Sequence, residues 1–249
     1  MTAEGMAGLA KGLAILEAFD GQAPRLTISE SATATSQSRA TARRCLLTLV
    51  DLGYLSTDGK YFSPTPRLLR LGAIYGDTAE LPQLAGPHLS AVRESVNEAA
   101  SLAVRDRGES LFIARSETQS IVNAGVRVGA RLPLYASATG HVLLLGLSEE
   151  NLTDYLDSGP FPARTPRTPT SSAEIRERVE STRANGFAVS DEELEVGLLS
   201  IAVPVSDSTG KGVASMSVSA SAARISLDEL KSRALPTLQR QAELLGRQL

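Results

Sequence analysis

Ser38-Arg39-Ala40-Thr41-Ala42-Arg43-Arg44-Cys45-Leu46-Leu47-Thr48-Leu49, continued after Val50 by Asp51-Leu52-Gly53-Tyr54-Leu55, is the stretch on which the fold turns. On a wheel of 3.6 residues per turn, Ala42, Cys45, Leu46 and Leu49 share one face. Ala40, Arg43 and Arg44 point away from that face, and Thr41 lies on the border. One face packs and the other is free to meet phosphates or base edges. An apolar stripe opposite a charged one is also what any surface helix shows, so the neighbouring segments decide. Upstream, Lys11 to Phe19 places Leu13, Ile15, Leu16 and Phe19 at helical spacing, and Thr27 to Thr35 is a second short helical segment ending before Ser36. Two short helices before a basic one form a helix-turn-helix. Downstream, Tyr54 to Phe62 carries Asp58-Gly59 between apolar runs, which predicts a tight hairpin, and a hairpin after a recognition helix is a wing.

Charge supports that reading once it is divided along the chain. The whole chain is -3, yet Arg25 to Arg70 holds seven basic residues (Arg25, Arg39, Arg43, Arg44, Lys60, Arg67, Arg70) against three acidic ones (Glu30, Asp51, Asp58). A local patch suffices for phosphate contact, because counterion release depends on the phosphates neutralised. The acidic excess lies elsewhere, which predicts two domains with different partners. At 249 residues the chain has room for one small and one medium domain, and its 42% apolar content is that of a folded protein.

The boundary falls between residues 64 and 82. Pro64 and Pro66 stop the wing strand, Arg67 to Tyr75 resumes helical periodicity as a linker, and Pro82 interrupts it. The expected domains are 1–65 (winged helix-turn-helix), 66–81 (linker helix) and 82–249. Within the last, Pro87 to Ala99 reads as an amphipathic helix, and Ala100 to Val104, Ser110 to Arg115 and Ser120 to Val126 as strands. Helices are expected over Ala138 to Leu147, Glu149 to Asp157 and Ala173 to Asn185, with an exposed loop from Gly159 to Thr170. Strands over Phe187 to Ser190, Leu199 to Val205 and Gly212 to Ser219 precede a closing helix from Ser226 to Leu249; Gly210-Lys211-Gly212 reads as a hairpin turn. Grouped strands separated by helices indicate an α+β domain with a mainly antiparallel sheet.

Enzymatic readings find no support. Neither His88 nor His141 has metal-ligand spacing, no cysteine pair exists, and the serine and threonine beside His141 lack a nucleophile elbow. No catalytic residue, metal ligand or cofactor is expected. Cys45, the single cysteine, reads as packing. The apolar run Val142 to Leu147 is too short to span a bilayer and the N-terminus lacks a signal-peptide pattern, so no membrane association and a cytoplasmic location are expected.

Four ordered segments resemble the IclR family of bacterial transcription regulators, most closely its regulators of aromatic-acid catabolism. They are Gly12 to Asp20, the recognition run, Phe62 to Gly72, and Gly129 to Gly140, the last reading Gly-Ala-Arg-Leu-Pro-Leu-Tyr-Ala-Ser-Ala-Thr-Gly. The resemblance implies a GAF-like effector domain, double-stranded operator DNA and a small organic acid as partners, and a homodimer or dimer of dimers on a palindromic site. Gln37, Ser38, Arg39, Ala40, Thr41, Arg43, Arg44 and Lys60 would face DNA. Arg131, Ala138, Thr139, Ser190, Asp191, Ser200, Ser217 and Ser219 would line the effector site, where hydroxyls, amides and an arginine suit a carboxylate. Arg127 and Arg131 are each open to a surface reading, which is favoured for Arg127. Repression relieved by ligand is the default expectation.

The chain departs from the family where an aliphatic residue, a glycine and a leucine usually stand, here Ser31, Ser36 and Gln37. Either the small domain loses stability, because a buried polar group without a partner costs about 1 to 3 kcal/mol, or Gln37 turns outward to DNA. The competing function class is a small-molecule-binding or enzymatic domain whose helix-turn-helix merely docks a protein.

Overall fold

The computed structural model describes residues 5–19, 23–118 and 126–249, and the chain divides into two compact units, Met1–Thr78 and Ala79–Leu249. In the first unit, α1 (Ala7–Glu17), α2 (Ile28–Ala34) and α3 (Arg39–Asp51) are followed by β1 (Leu55–Thr57), β2 (Phe62–Pro64) and α4 (Leu69–Thr78). Local chemistry sets each start. Thr27 and Glu30 form a reciprocal capping box on α2, with the Thr27 amide donating to Glu30 Oε2 at 2.7 Å and the Glu30 amide to Thr27 Oγ1 at 3.3 Å. Ser38 caps α3 by accepting from the Thr41 amide. Ile15, Ala32, Ala42, Leu46, Leu49, Leu55 and Phe62 form the core of this unit.

The wing differs in its turn from the tight two-residue form. Thr57 pairs with Phe62, so four residues, Asp58 to Tyr61, connect β1 and β2. Asp58 Oδ1 accepts from the amides of Lys60 (2.9 Å) and Tyr61 (2.7 Å), and these bonds hold its carboxyl below the ordinary range. Leu26 pairs with Phe62 through backbone hydrogen bonds of 3.0 and 2.8 Å, adding a third strand position.

The second unit begins with α5 (Glu80–Val96), not at Pro87. Pro82 lies in the first turn, where its missing N–H has no intrahelical partner to lose. Pro87 stays within the helix because Ala85, Leu89, Val92 and Val96 are all buried on one core. Then come β3 (Ala99–Asp106), β4 (Glu109–Ser116), β5 (Arg131–Pro133), α6 (Ala138–Leu144), α7 (Glu149–Asp157), α8 (Ser172–Asn185), β6 (Ala188–Asp191), β7 (Leu198–Ser206), β8 (Gly212–Ser221) and α9 (Leu227–Gly246). The strand expected over 120–126 falls on residues outside those described, apart from Val126; β5 was not anticipated.

The sheet is antiparallel throughout, in the order β5-β4-β3-β8-β7-β6. Helices α5 and α9 cover one face, packing on Leu102, Ile201, Met216 and Val218. The other face meets α6, whose Ala138 and Val142 pack on Ala188 and Ala202. The 159–170 loop is less exposed than expected: Thr165 and Thr168 are buried, their hydroxyls donating to the carbonyls of Glu192 (2.7 Å) and Glu193 (2.5 Å). No described helix is long and apolar enough to cross a membrane.

Candidate functional site

In the first unit, Arg39, Ala40, Arg43 and Arg44 are exposed on α3, and none of the three arginines has an ion-pair partner among the described residues. Ser38 is exposed, with its hydroxyl also donating to Thr41 Oγ1 at 3.0 Å. At the wing, the Arg25 guanidinium and the Lys60 ammonium stand 4.4 and 4.9 Å from the centre of the Tyr61 ring. Two cations on one ring make the wing the second basic element, and Arg25, absent from the expected contact residues, joins Lys60 there. Its signal in the sequence was only its charge, since nothing local ties Arg25 to Tyr61.

Gln37 has to be withdrawn from the DNA face. It is half-buried, its Nε2 donates to the Lys11 carbonyl at 3.1 Å, and its Oε1 is buried without a partner. The cause is the α2 C-terminus. Ser36 has φ 53°, while the Gln37 amide donates to Ala32 O (2.9 Å) and the Ser36 amide to Thr33 O (3.2 Å), the Schellman pattern. That pattern folds residue 37 back onto the helical core. It also explains the usual glycine at position 36, because a left-handed φ is costly for a residue with Cβ. Ser31, fully buried, leaves its hydroxyl unpartnered.

An apolar groove of about 780 Å³ opens between α1 and α3, bordered by Met6, Leu9, Leu13, Leu52 and Leu71, with Thr41 and Arg44 along its rim. Those five apolar residues are between 43% and 76% exposed, and Leu69, Ile74 and Tyr75 extend the exposed apolar surface along α4.

In the second unit, strand parity builds a polar patch. Met216, Val218 and Ala220 of β8 enter the core beneath α5 and α9, so Ser215, Ser217 and Ser219 take the opposite face. Cross-strand register sets Ser101 beside Ser217, and Ala99, Ser219, Ser200 and Ser190 in a neighbouring row. Among the described residues, no hydroxyl of Ser190, Ser200, Ser217 or Ser219 has a protein hydrogen-bond partner, although Ser190 and Ser217 are buried. Arg115, opposite Ser101 on β4, has a side chain only 5% exposed; its Nη1 donates to Ser101 Oγ at 2.9 Å and its Nε meets Glu117 at 3.2 Å. A nearly buried cation at one end of rows of small side chains, with hydroxyls that make no protein hydrogen bond, is suited to a flat carboxylate-bearing molecule.

Two expected effector residues, Arg131 and Asp191, are turned away from the patch. Arg131 is paired with Asp106 and Glu109 at the far end of β4, and these bonds raise its pKa. Asp191, next to Ser190 on β6, takes the opposite face and pairs with Arg167. Thr139 is buried beside Ser110 and Ser137, 3.4 Å from each hydroxyl, in the first turn of α6. Ala138 packs on the sheet. Arg127 is exposed. Arg115, which sequence reasoning missed, is the arginine the patch contains.

The chain matches the family model for the IclR helix-turn-helix domain over residues 8–59 and that for the bacterial transcriptional regulator IclR C-terminal domain over 74–247. It is 38% identical to the Pca regulon regulatory protein of Pseudomonas putida over 94% of this chain and 80% of that protein. It is 36% identical to the p-hydroxybenzoate hydroxylase transcriptional activator of Acinetobacter baylyi over 98% of this chain and 92% of the other. Among solved structures, an IclR homologue from Microbacterium hydrocarbonoxydans complexed with 4-hydroxybenzoate superposes with a TM-score of 0.78 at 27% identity, covering 96% of this chain and 98% of that one.

Proposed function

The chain belongs to the IclR family of bacterial transcriptional regulators, and from that premise we propose that a small aromatic carboxylic acid, held on the serine patch by Arg115, controls its binding to operator DNA. The observation that carries this reading is the nearly buried Arg115 side chain, bonded to Ser101 in the row that continues to Ser217, next to the row of Ser219, Ser200 and Ser190, whose hydroxyls have no protein partner among the described residues. A carboxylate with a ring hydroxyl would supply a charge-assisted contact to the guanidinium and partners to these hydroxyls. The relatives named for the Pca regulon and for p-hydroxybenzoate hydroxylase, and the 4-hydroxybenzoate held by the Microbacterium homologue, support the same ligand class.

DNA is bound by α3, through Arg39, Ala40 and Arg43, and by the wing, through Lys60 and Arg25. A second copy of the chain covers the apolar groove of α1 and α3, since an exposed apolar surface of this extent favours a partner. The resulting two-fold symmetry matches a palindromic operator, and the regulator works in the cytoplasm. The sign proposed is activation, because the relative at 36% identity is named an activator; repression, the default from sequence, is the alternative outcome. A mobility-shift titration of the upstream intergenic DNA with and without 4-hydroxybenzoate, beside a promoter fusion, tests the reading. A ligand-dependent change in a sequence-selective shift supports it, and selective binding indifferent to every aromatic acid overturns it.

A further inference from the structure

At the β6 edge of the sheet, a second cavity of about 250 Å³ is lined by residues that include His141, Arg178, Asn185, Phe187, Asp228 and Lys231. None of the patch serines lines it. His141 is fully buried. Its Nε2 lies 2.9 Å from the Tyr135 carbonyl, which can only accept, so Nε2 carries the proton and Nδ1 is a bare acceptor. Burial keeps the imidazole neutral, lowering its pKa to about 4. Nδ1 has no partner among the described residues. An acceptor buried without a donor is destabilising, and a carboxylate cannot satisfy it.

Arg178 turns its Nε to Glu193 at 2.7 Å, and its two Nη groups have no hydrogen-bond partner among the described residues. Lys231, exposed on α9, stands 4.8 Å from the Phe187 ring centre and forms no ion pair among the described residues. Against these two cations the cavity lining contains one acid, Asp228. The lining therefore combines two cationic side chains, one of them already paired with Glu193, an aromatic edge and a deep neutral acceptor.

We propose that this cavity is a second ligand site, taking a small hydroxycarboxylic acid whose hydroxyl donates to His141 Nδ1 and whose carboxylate meets Lys231 and Arg178. The hydroxyl supplies the donor that Nδ1 lacks, and the carboxylate finds charge-assisted donors at the rim.

The chain has only two histidines, His88 and His141, so ¹⁵N-histidine labelling of the full chain gives two imidazoles to follow. Titration with lactate, and separately with 4-hydroxybenzoate, at pH 7 is expected to shift His141 Nδ1 saturably with at least one acid. Arg115→Ala should leave that shift in place while removing the response at the serine patch, and Lys231→Ala should raise its midpoint at least fivefold. The assignment is overturned by an unmoved His141 Nδ1 with both acids, by a shift that vanishes in Arg115→Ala, or by an unchanged midpoint in Lys231→Ala. An aromatic-acid affinity undiminished in Arg115→Ala, with the His141 shift intact, would count against the serine patch and not against this cavity.

Discussion

Arg115 and Ser101 face each other across β4 and β3, guanidinium to hydroxyl, at 2.9 Å. Their bond keeps a nearly buried cation aimed across the serine patch. Arg115→Ala removes a charge-assisted contact of about 1.5 to 3 kcal/mol, which corresponds to a loss of roughly 10- to 100-fold in affinity for an aromatic acid. Calorimetry with 4-hydroxybenzoate measures it. Ligand-free binding to operator should be unchanged, and an undiminished affinity would remove Arg115 from the site.

Arg43 is exposed on the outer face of α3, whereas Arg44 borders the apolar groove. Arg43→Ala should weaken operator binding more than Arg44→Ala, and lower the slope of log affinity against log salt by about one unit per lost phosphate contact. Binding measured at several salt concentrations checks this. Equal, negligible losses in both variants would refute the recognition-helix assignment.

Ser36, at φ 53°, and Ser31, with a buried unpartnered hydroxyl, both cost the first unit stability. Ser36→Gly and Ser31→Ala should each stabilise it by about 1 kcal/mol, the first by relieving the left-handed backbone and the second by removing an orphan donor. Denaturant unfolding of the full chain, followed by a probe in the first unit, reads the gain.

A Cβ on Gly140 would lie 2.2 Å from the Leu134 carbonyl oxygen and 2.4 Å from its Cα. Backbone cannot yield as a side-chain tip can, so Gly140→Ala should destabilise the second unit by about 3 kcal/mol or more. Its melting temperature should fall by several degrees while the first unit's is unaffected.

His141 has a folded-state pKa of about 4, against an ordinary 6.5, because burial disfavours its charged form. The unfolded state therefore binds the proton more readily between those values. The contribution of His141 is fully present above pH 6.5 and is lost as pH falls through about 4, a loss of about 3 kcal/mol at most. Glu193, 3.9 Å away, works in the opposite sense, since burial raises its pKa and favours the folded state as pH falls. An NMR titration should place the His141 midpoint near 4; a midpoint near 6.5 would contradict its burial.

Much of the first unit was legible because its signals are local. The Thr27–Glu30 box, the Ser38 cap and the Ala42-Leu46-Leu49 stripe all act within a few residues of chain. Gln37 was not settled by that reading, since its direction depends on the Schellman turn and on Lys11, which lies 26 residues away. Pro82 and Pro87 misplaced the expected start of α5 because packing of that helix on the sheet outweighs the breaker character of proline.

For the second unit, the sequence by itself determined an antiparallel α+β domain and, through two-residue spacing, that Ser217 and Ser219 share a face. The same parity argument, applied to Ser190 and Asp191, would have separated those two neighbours. Tertiary structure alone decided which cation stands at the patch. Arg115 and Arg131 look alike as sequence, and only strand register buries the first beside Ser101 while leaving the second to Asp106 and Glu109. Local patterns record which side of an element a residue takes, but the partner it meets there is fixed by chain segments far away in sequence.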